Sequence, residues 1–98
     1  MTNTEVYRKA ITHFGKNHQI AKALEELGEL QVALARYLVG RGDPENIAEE
    51  LADVEIMCEQ LEMIFINRAK VLKIKQDKTD RLRRKISMEN VNTLYDAR

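Results

Sequence analysis

The sequence predicts an all-α fold, and three of its features lead to this prediction. Apolar residues recur at helical spacing along most of the chain. One proline and four glycines in 98 residues leave room for long uninterrupted helices. An aromatic content of 5% disfavours a β-sandwich or barrel. We therefore expect a four-helix, single-domain protein over residues 1–98, with a core over 4–86 and a tail over 87–98.

The first two helices are predicted over residues 4–14 and 17–39. Thr4 is the expected N-cap of the first helix, and Gly15 is expected just beyond its end. Gly40 and Gly42 are expected to end the second helix. Its apolar residues recur at helical spacing: Ile20, Ala23, Leu24, Leu27, Leu30, Leu34 and Leu38.

A third and a fourth helix are predicted over residues 44–66 and 68–86. Asp43 is the expected N-cap of the third helix, and Pro44 stands at its first position. Asn67 either caps the fourth helix or lies within one longer helix. Residues 88–98 are expected to be irregular. The third helix has an apolar stripe of Ile47, Leu51, Val54, Met57, Cys58, Leu61 and Phe65.

The charges cancel over the whole chain but are segregated along it. Residues 22–62 carry eleven acids and three bases, a net of −8, and residues 66–87 carry nine bases and two acids, a net of +7. A cation site beside an anion site has this pattern, and so do two solvated helix faces of opposite sign. No apolar run approaches the roughly 20 residues of a membrane span. A single cysteine and no signal pattern favour the cytoplasm.

Two short patterns carry paired carboxylates, Glu26/Glu29 in the second helix and Glu50/Asp53 in the third. A spacing of three places both side chains of a pair on one helical face. At 100° per residue, Glu50 falls inside the apolar stripe of its helix, and Glu26 borders the stripe of the other.

A divalent cation would relieve the desolvation and mutual repulsion of these acids. Burying an unpaired carboxylate is unfavourable unless a metal or a partner neutralises it. The donors are all oxygens and include no histidine, which favours Mg²⁺, with Mn²⁺ as a substitute, over iron or zinc. A single Glu-x-x-Glu pair is more often a solvated face, so the prediction depends on two such pairs on consecutive helices.

The two motifs and their surroundings resemble the MazG-like all-α nucleoside triphosphate pyrophosphohydrolases. Phe14-Gly15-x-x-x-Gln19 precedes the first pair, and Lys78-x-x-Arg81 follows the second. The resemblance covers residues 14–86. It implies a four-helix MazG-like bundle completed by oligomerisation, as a homodimer or homotetramer. It also implies Mg²⁺-dependent hydrolysis of a nucleoside triphosphate to the monophosphate and pyrophosphate, with the four acids as metal ligands and catalytic residues.

The predicted substrate-binding residues are Lys78, Arg81, Gln19 and Lys22. Lys78 and Arg81 lie one turn apart and suit a phosphate clamp, or else belong to a solvated basic helix. Gln19 would hydrogen-bond a base or ribose, unless it is a cap or surface contact. Lys22 would touch a phosphate or, as we favour, pair with Glu26 one turn away. Cys58 is expected to be a small buried residue.

Two other function classes compete with the enzyme. One is a non-enzymatic helical oligomerisation or interaction module, in which acidic and basic halves pair between chains. The other is nucleic-acid binding through the basic fourth helix, against which the neutral total charge and low aromatic content speak. We therefore expect no stable nucleic-acid binding and no membrane association.

Overall fold

The computed structural model of the protein describes residues 1–96, and it describes side chains through residue 89. These residues form four helices, α1 (Asn3–Phe14), α2 (Lys16–Leu38), α3 (Pro44–Phe65) and α4 (Arg68–Asp96). No strand occurs in the described part of the chain, so the predicted all-α class is confirmed. No helix within that part is both long and apolar enough to cross a membrane.

The helices belong to two compact units, one over Met1–Ile66 and one beginning at Asn67. In the first unit α2 packs along α3, and α1 contacts both. The second unit is α4. The predicted division of the chain into a core over 4–86 and a tail over 87–98 stays a prediction.

The first helix begins earlier than its predicted cap. Thr2, not Thr4, is the N-cap of α1, because Glu5 stands three residues after Thr2 and completes a capping box. The Glu5 N–H donates to Thr2 Oγ1 at 3.1 Å, and the Thr2 N–H donates to Glu5 Oε2 at 3.3 Å. Two orphan donors of the first turn are thereby satisfied.

The connection between α2 and α3 follows the predicted turn chemistry. The Asp43 carboxylate accepts from the Glu45 N–H at 3.0 Å, and Pro44 occupies the first turn, as predicted. Gly40 has φ +78°, a backbone conformation that favours glycine. At Gly42 an added Cβ would overlap the backbone of Tyr37. This close approach lets α3 turn back against α2.

The fourth helix is longer than predicted. Asn67 caps it through its side-chain oxygen, which accepts from the Lys70 N–H at 2.8 Å. It then continues to Asp96, so the expectation of an irregular segment from residue 88 is wrong for 88–96. No proline or glycine occurs between Arg68 and Asp96 to end the helix. Residues 97 and 98, also expected to be irregular, lie outside the described residues.

The core is small for the apolar content of the sequence. The buried apolar residues are Ala23, Ala33 and Met57, while several leucines of the predicted stripes remain exposed. Leu24 is 67% exposed and Leu38 is 83% exposed. Packing within this chain therefore covers only part of the apolar surface that the helices present.

Replacing Gly28 with alanine should stabilise the protein. Gly28 lies inside α2, and an added Cβ would meet no atom within 4 Å. Alanine lowers the backbone entropy lost on folding by about 1 kcal/mol, which raises the Tm by about 4–8 °C in a domain of this size. Thermal melts followed by circular dichroism measure the shift. The control Gly42→Ala should lower the Tm, and an unchanged or lower Tm for Gly28→Ala would contradict the expectation.

Candidate metal centre

Four carboxylates meet where α2 packs against α3. One oxygen from each of Glu26, Glu29, Glu50 and Asp53 lies within 4.8 Å of the others. We call these four residues the carboxylate cluster. The structure thus brings together all four acids of the two paired motifs, and their role as metal ligands stays a prediction.

The register of the α2–α3 pair places the cluster. Gln19 Nε2 on α2 donates to Gln60 Oε1 on α3 at 2.8 Å, so these two residues share one level of the pair. In an antiparallel pair, each step forward along α2 corresponds to a step backward along α3. Seven steps from Gln19 bring Glu26 to the level of Asp53, and the next turn brings Glu29 to the level of Glu50. The two acidic motifs therefore face each other turn by turn.

The cluster is buried on one side and open on the other. Glu26 is the most buried member, with 7% of its surface exposed. Glu50 is half-buried, and the other two members are exposed. Glu25 and Glu49, which immediately precede Glu26 and Glu50, are exposed. The cluster is therefore accessible from solvent while two of its carboxylates lie largely inside the helix pair.

Two carboxylate oxygens of the cluster are buried without a hydrogen-bond partner. They are Glu26 Oε2 and Glu50 Oε2. The other oxygen of Glu26 pairs with Lys22 Nζ at 3.2 Å, the ion pair that we favoured from the sequence. Leaving a charged acceptor buried and unsatisfied is strongly unfavourable. A cation between α2 and α3 could satisfy both oxygens.

Mutual repulsion within the cluster acts on Glu29. The charge of Glu26 raises the pKa of the Glu29 carboxyl, with smaller contributions from desolvation and from Glu50. Like charges held close together disfavour ionisation in this way. One lysine does not neutralise four acids, so the metal-free cluster retains excess negative charge.

The donor chemistry of the cluster fits a hard divalent cation. All four donors are carboxylates, and neither histidine nor cysteine belongs to the set. Mg²⁺ prefers oxygen ligands and keeps positions for water and substrate phosphates, and Mn²⁺ accepts the same ligands. An exposed pair beside a buried pair would hold such an ion while leaving one side open.

The structure gives two of the predicted substrate-binding residues partners within the chain. Gln19 is buried, and its amide bonds Gln60 on one side and lies 2.8 Å from His18 Nδ1 on the other. This amide joins α2 to α3. Lys22 contacts Glu25 at 3.6 Å in addition to Glu26. These contacts raise the pKa of Lys22, chiefly through its hydrogen bond to Glu26.

The other two predicted substrate-binding residues lie in the second unit. Lys78 and Arg81 are exposed on α4, three residues apart. This spacing places them on one side of the helix, as expected from the sequence. Their assignment to phosphate binding stays a prediction.

A cleft of about 480 Å³ adjoins the cluster, and sequence reasoning did not identify it. Arg36 follows Glu29 by seven residues, and Asn46 precedes Glu50 by four, spacings that return each residue to nearly the same helical face. This periodicity is the signal that could have found them. The cleft is lined by Glu25, Gly28, Glu29, Val32, Ala33, Arg36, Asn46 and Glu50.

Comparisons with known proteins do not assign the chain to a family. No family model, no curated protein and no solved structure matches it. Function must therefore be inferred from the cluster, its burial and its charge.

Without metal, replacing Glu29 with glutamine should stabilise the protein at neutral pH. The pKa of Glu29 is raised in the folded state, so the folded protein holds this proton more tightly than the unfolded chain. The free energy of unfolding therefore falls as pH rises from the ordinary value of 4.5 through the folded-state pKa. Above that window, ionised Glu29 destabilises the fold, and the amide removes this effect.

Thermal melts in EDTA at several pH values test this prediction. Glu29→Gln should melt a few degrees above the unsubstituted protein at pH 7, and the difference should vanish below pH 4.5. Glu49→Gln, at an exposed position outside the cluster, is the matched control. A lower Tm for Glu29→Gln than for this control at pH 7 would argue against repulsion within the cluster.

Proposed function

We propose that the protein is a MazG-like nucleoside triphosphate pyrophosphohydrolase that holds Mg²⁺ in the carboxylate cluster. One observation carries the proposal: two buried carboxylate oxygens without partners, in a group of four acids within 4.8 Å of one another. The resemblance of both motifs and their flanking residues to that family supports the reaction. Substrates are nucleoside or deoxynucleoside triphosphates.

The chemistry requires the site to receive a triphosphate beside a reactive water. Mg²⁺ in the cluster would neutralise phosphate charge and lower the pKa of a bound water. The water oxygen attacks the α-phosphorus, and the bond to the oxygen bridging toward the β-phosphorus breaks. Pyrophosphate and a nucleoside monophosphate leave. The half of the cluster that faces solvent, Glu29 and Asp53, is where a carboxylate can orient that water or accept its proton.

In this proposal, basic residues bind the phosphates of the substrate. Lys78 and Arg81 on α4 would bind phosphate oxygens, the arginine by two parallel hydrogen bonds and the lysine as a point charge. Lys22 contacts Glu26, and to bind a phosphate it would exchange that carboxylate for a phosphate oxygen. Gln19, bonded to Gln60, would act by holding the two helices in register.

Replacing Glu50 with glutamine should abolish pyrophosphate release. The amide keeps the size of the side chain but removes the charge of a half-buried ligand. Activity should fall by more than about 100-fold, the upper end for residues that only support a metal ligand. A coupled assay that distinguishes pyrophosphate from orthophosphate, run with a panel of common and damaged triphosphates, measures this.

The matched control is Glu49→Gln, one residue earlier on the exposed side of α3. This variant should keep at least half of the activity, and both variants should keep the helical content of the unsubstituted protein. Full activity in Glu50→Gln, or orthophosphate as the released product, would rule out the proposed reaction.

We also propose that the protein works as a homo-oligomer, because an apolar face is exposed on the α2–α3 pair. Each helix carries six positions with alternating spacings of four and three, the repeat that builds helix–helix seams. Leu38 and Phe65, at the ends of the two series, are 83% and 63% exposed. The positions are Ile20, Leu24, Leu27, Gln31, Leu34 and Leu38 on α2, and Ile47, Leu51, Val54, Cys58, Leu61 and Phe65 on α3. We call these twelve residues the heptad face.

Both series lie on the same side of the helix pair, away from the open side of the cluster. Leu27 follows Glu26 by one residue, and Leu51 follows Glu50 by one, a rotation of about 100°. Because α2 and α3 run antiparallel, this rotation takes both leucines to one side. The three-residue step to Glu29 and Asp53 rotates in the opposite sense, toward the other side. A second copy on the heptad face would therefore complete a four-helix bundle without covering the cluster.

The cysteine of the heptad face corrects one expectation. Cys58 is exposed, not buried as its place in the α3 stripe predicted. Within the first unit, neither α1 nor α2 buries this side chain. Desolvation, with a smaller effect from Glu62, raises the pKa of its thiol, so a thiolate is disfavoured. Packing at an interface suits such a cysteine better than nucleophilic chemistry.

Placing a charge on the heptad face should dissociate the oligomer. Leu27 is 45% exposed, so Leu27→Glu leaves α2 intact but would bury a carboxylate between copies. Sedimentation velocity should show a dimer or tetramer for the unsubstituted protein and a monomer for this variant. Val32→Glu, at an exposed valine of α2 outside the face, should keep the assembly. A monomeric unsubstituted protein at micromolar concentration would contradict the proposal.

The heptad face also favours a second function, that of a non-enzymatic interaction module. In that case the face would be the functional surface and the acids would be structural. The two functions differ in their response to ligands, because a ligand that binds only the folded state raises the Tm. A Tm raised by Mg²⁺ with a triphosphate supports the enzyme, and no shift with any nucleotide supports the module.

A further inference from the structure

The cleft beside the carboxylate cluster contains a cation of its own, Arg36. Neither the paired motifs nor the predicted substrate-binding residues include this arginine. Within the described part of the chain, its side chain makes no ion pair and no hydrogen bond, and the same holds for the Asn46 amide across the cleft. Two polar side chains thus line the cleft with their hydrogen-bonding groups unused.

The spacing of Arg36 suits a ligand that also touches the cluster. Arg36 lies seven residues beyond Glu29, about 10.5 Å along the helix axis. Side chains on a helix lean toward its N-terminus, so the Arg36 side chain leans back toward Glu29. Asn46 lies about 6 Å along α3 from Glu50 and leans the other way, toward the level of Arg36. Arg36 and Asn46 line the same cleft, so a ligand within it can contact both the guanidinium and the amide.

The opposite direction along the helix pair is closed. Gln19 and Gln60 are both buried and bonded to each other, and α1 contacts both α2 and α3. A ligand longer than the cluster itself therefore extends toward Arg36. The cleft wall is low at the level of the cluster, where Gly28 has no side chain, and Ala33, between the cluster and Arg36, has only a small one.

We propose that this cleft is the subsite for the terminal phosphates of the substrate, with Arg36 as their binding residue and Asn46 as a second donor. This assignment rests on the proposed function. A guanidinium offers two parallel donors that match phosphate oxygens, and an uncharged base needs no cation there. The subsite thus receives the part of the triphosphate that leaves as pyrophosphate, while the nucleoside extends out of the open side of the cluster.

The test uses the two products of the reaction separately, with the full-length protein and saturating Mg²⁺. Inorganic pyrophosphate and a panel of the four common nucleoside 5′-monophosphates are titrated in by calorimetry. Arg36→Gln should weaken pyrophosphate binding about 10- to 100-fold, as expected for loss of a hydrogen bond to a charged group. Its affinity for the monophosphates should stay within twofold. Arg36→Lys keeps the charge without the paired donors, so its affinity for pyrophosphate should lie between those of the unsubstituted protein and Arg36→Gln.

Arg41→Gln is the matched control, since it removes one exposed arginine from the same region without touching the cleft. It should bind pyrophosphate as the unsubstituted protein does. Unchanged pyrophosphate affinity in Arg36→Gln overturns the subsite, and so does a loss confined to the monophosphates, which would place the nucleoside in the cleft.

Binding of Mn²⁺, followed by electron paramagnetic resonance, separates this proposal from the proposed function. If the unsubstituted protein binds Mn²⁺ and releases pyrophosphate from a triphosphate while Arg36→Gln binds pyrophosphate normally, only the subsite fails. If the unsubstituted protein binds neither Mn²⁺ nor pyrophosphate, the proposed function fails and the subsite with it. Retained Mn²⁺ binding with weakened pyrophosphate binding in Arg36→Gln supports both.

Discussion

The repulsion among four carboxylates at the contact between α2 and α3 is the unfavourable interaction that the rest of the helix pair must withstand. The cluster holds these charges within 4.8 Å of one another with one lysine as a direct partner. Such an arrangement weakens the helix pair when nothing else neutralises it. Unfavourable local arrangements of this kind are typical of functional sites. Binding of a cation, and through it of an anionic substrate, would explain why the chain holds these four acids together.

The helix pair keeps its geometry by means that do not depend on the cluster. A buried hydrogen bond between Gln19 and Gln60 sets the register at one end. At the other end, the Asp43 cap and the approach of Gly42 to Tyr37 set the turn. The cluster lies between these two points. A pair held at both ends can tolerate unfavourable charge in the middle, which is the arrangement that preorganised ligand sites require.

The two sides of the pair have different chemical characters. One side presents carboxylates, a cleft and an unpaired arginine, and the other presents the heptad face. Among residues 1–89, whose side chains the structure describes, only three apolar residues are buried, which leaves much apolar surface in water. Burying part of that surface against a second copy would supply stability that the small core lacks. In the proposed assembly, this separation would keep a second copy from blocking the access of a substrate to the cluster.

From the sequence alone, whether Asn67 caps α4 or lies within one longer helix stays open, and the structure shows the cap. The sequence does determine the all-α class and the turn at Asp43-Pro44, because these depend on residues close together in the chain. It also placed the two paired motifs on helical faces, since their spacing is local. The predicted cap at Thr4 is wrong because the capping box of Thr2 and Glu5 starts α1 two residues earlier. The predicted end of the fourth helix is wrong because no helix breaker stops α4 before Asp96.

Only the tertiary structure decided which residues of α2 meet which residues of α3. That register pairs Gln19, a predicted substrate-binding residue, with Gln60, and it brings Arg36 and Asn46 to one cleft. It also left Cys58 exposed within an apolar stripe. Helical periodicity predicts the face on which a residue lies, but the pairing of two faces depends on packing between residues far apart in the chain.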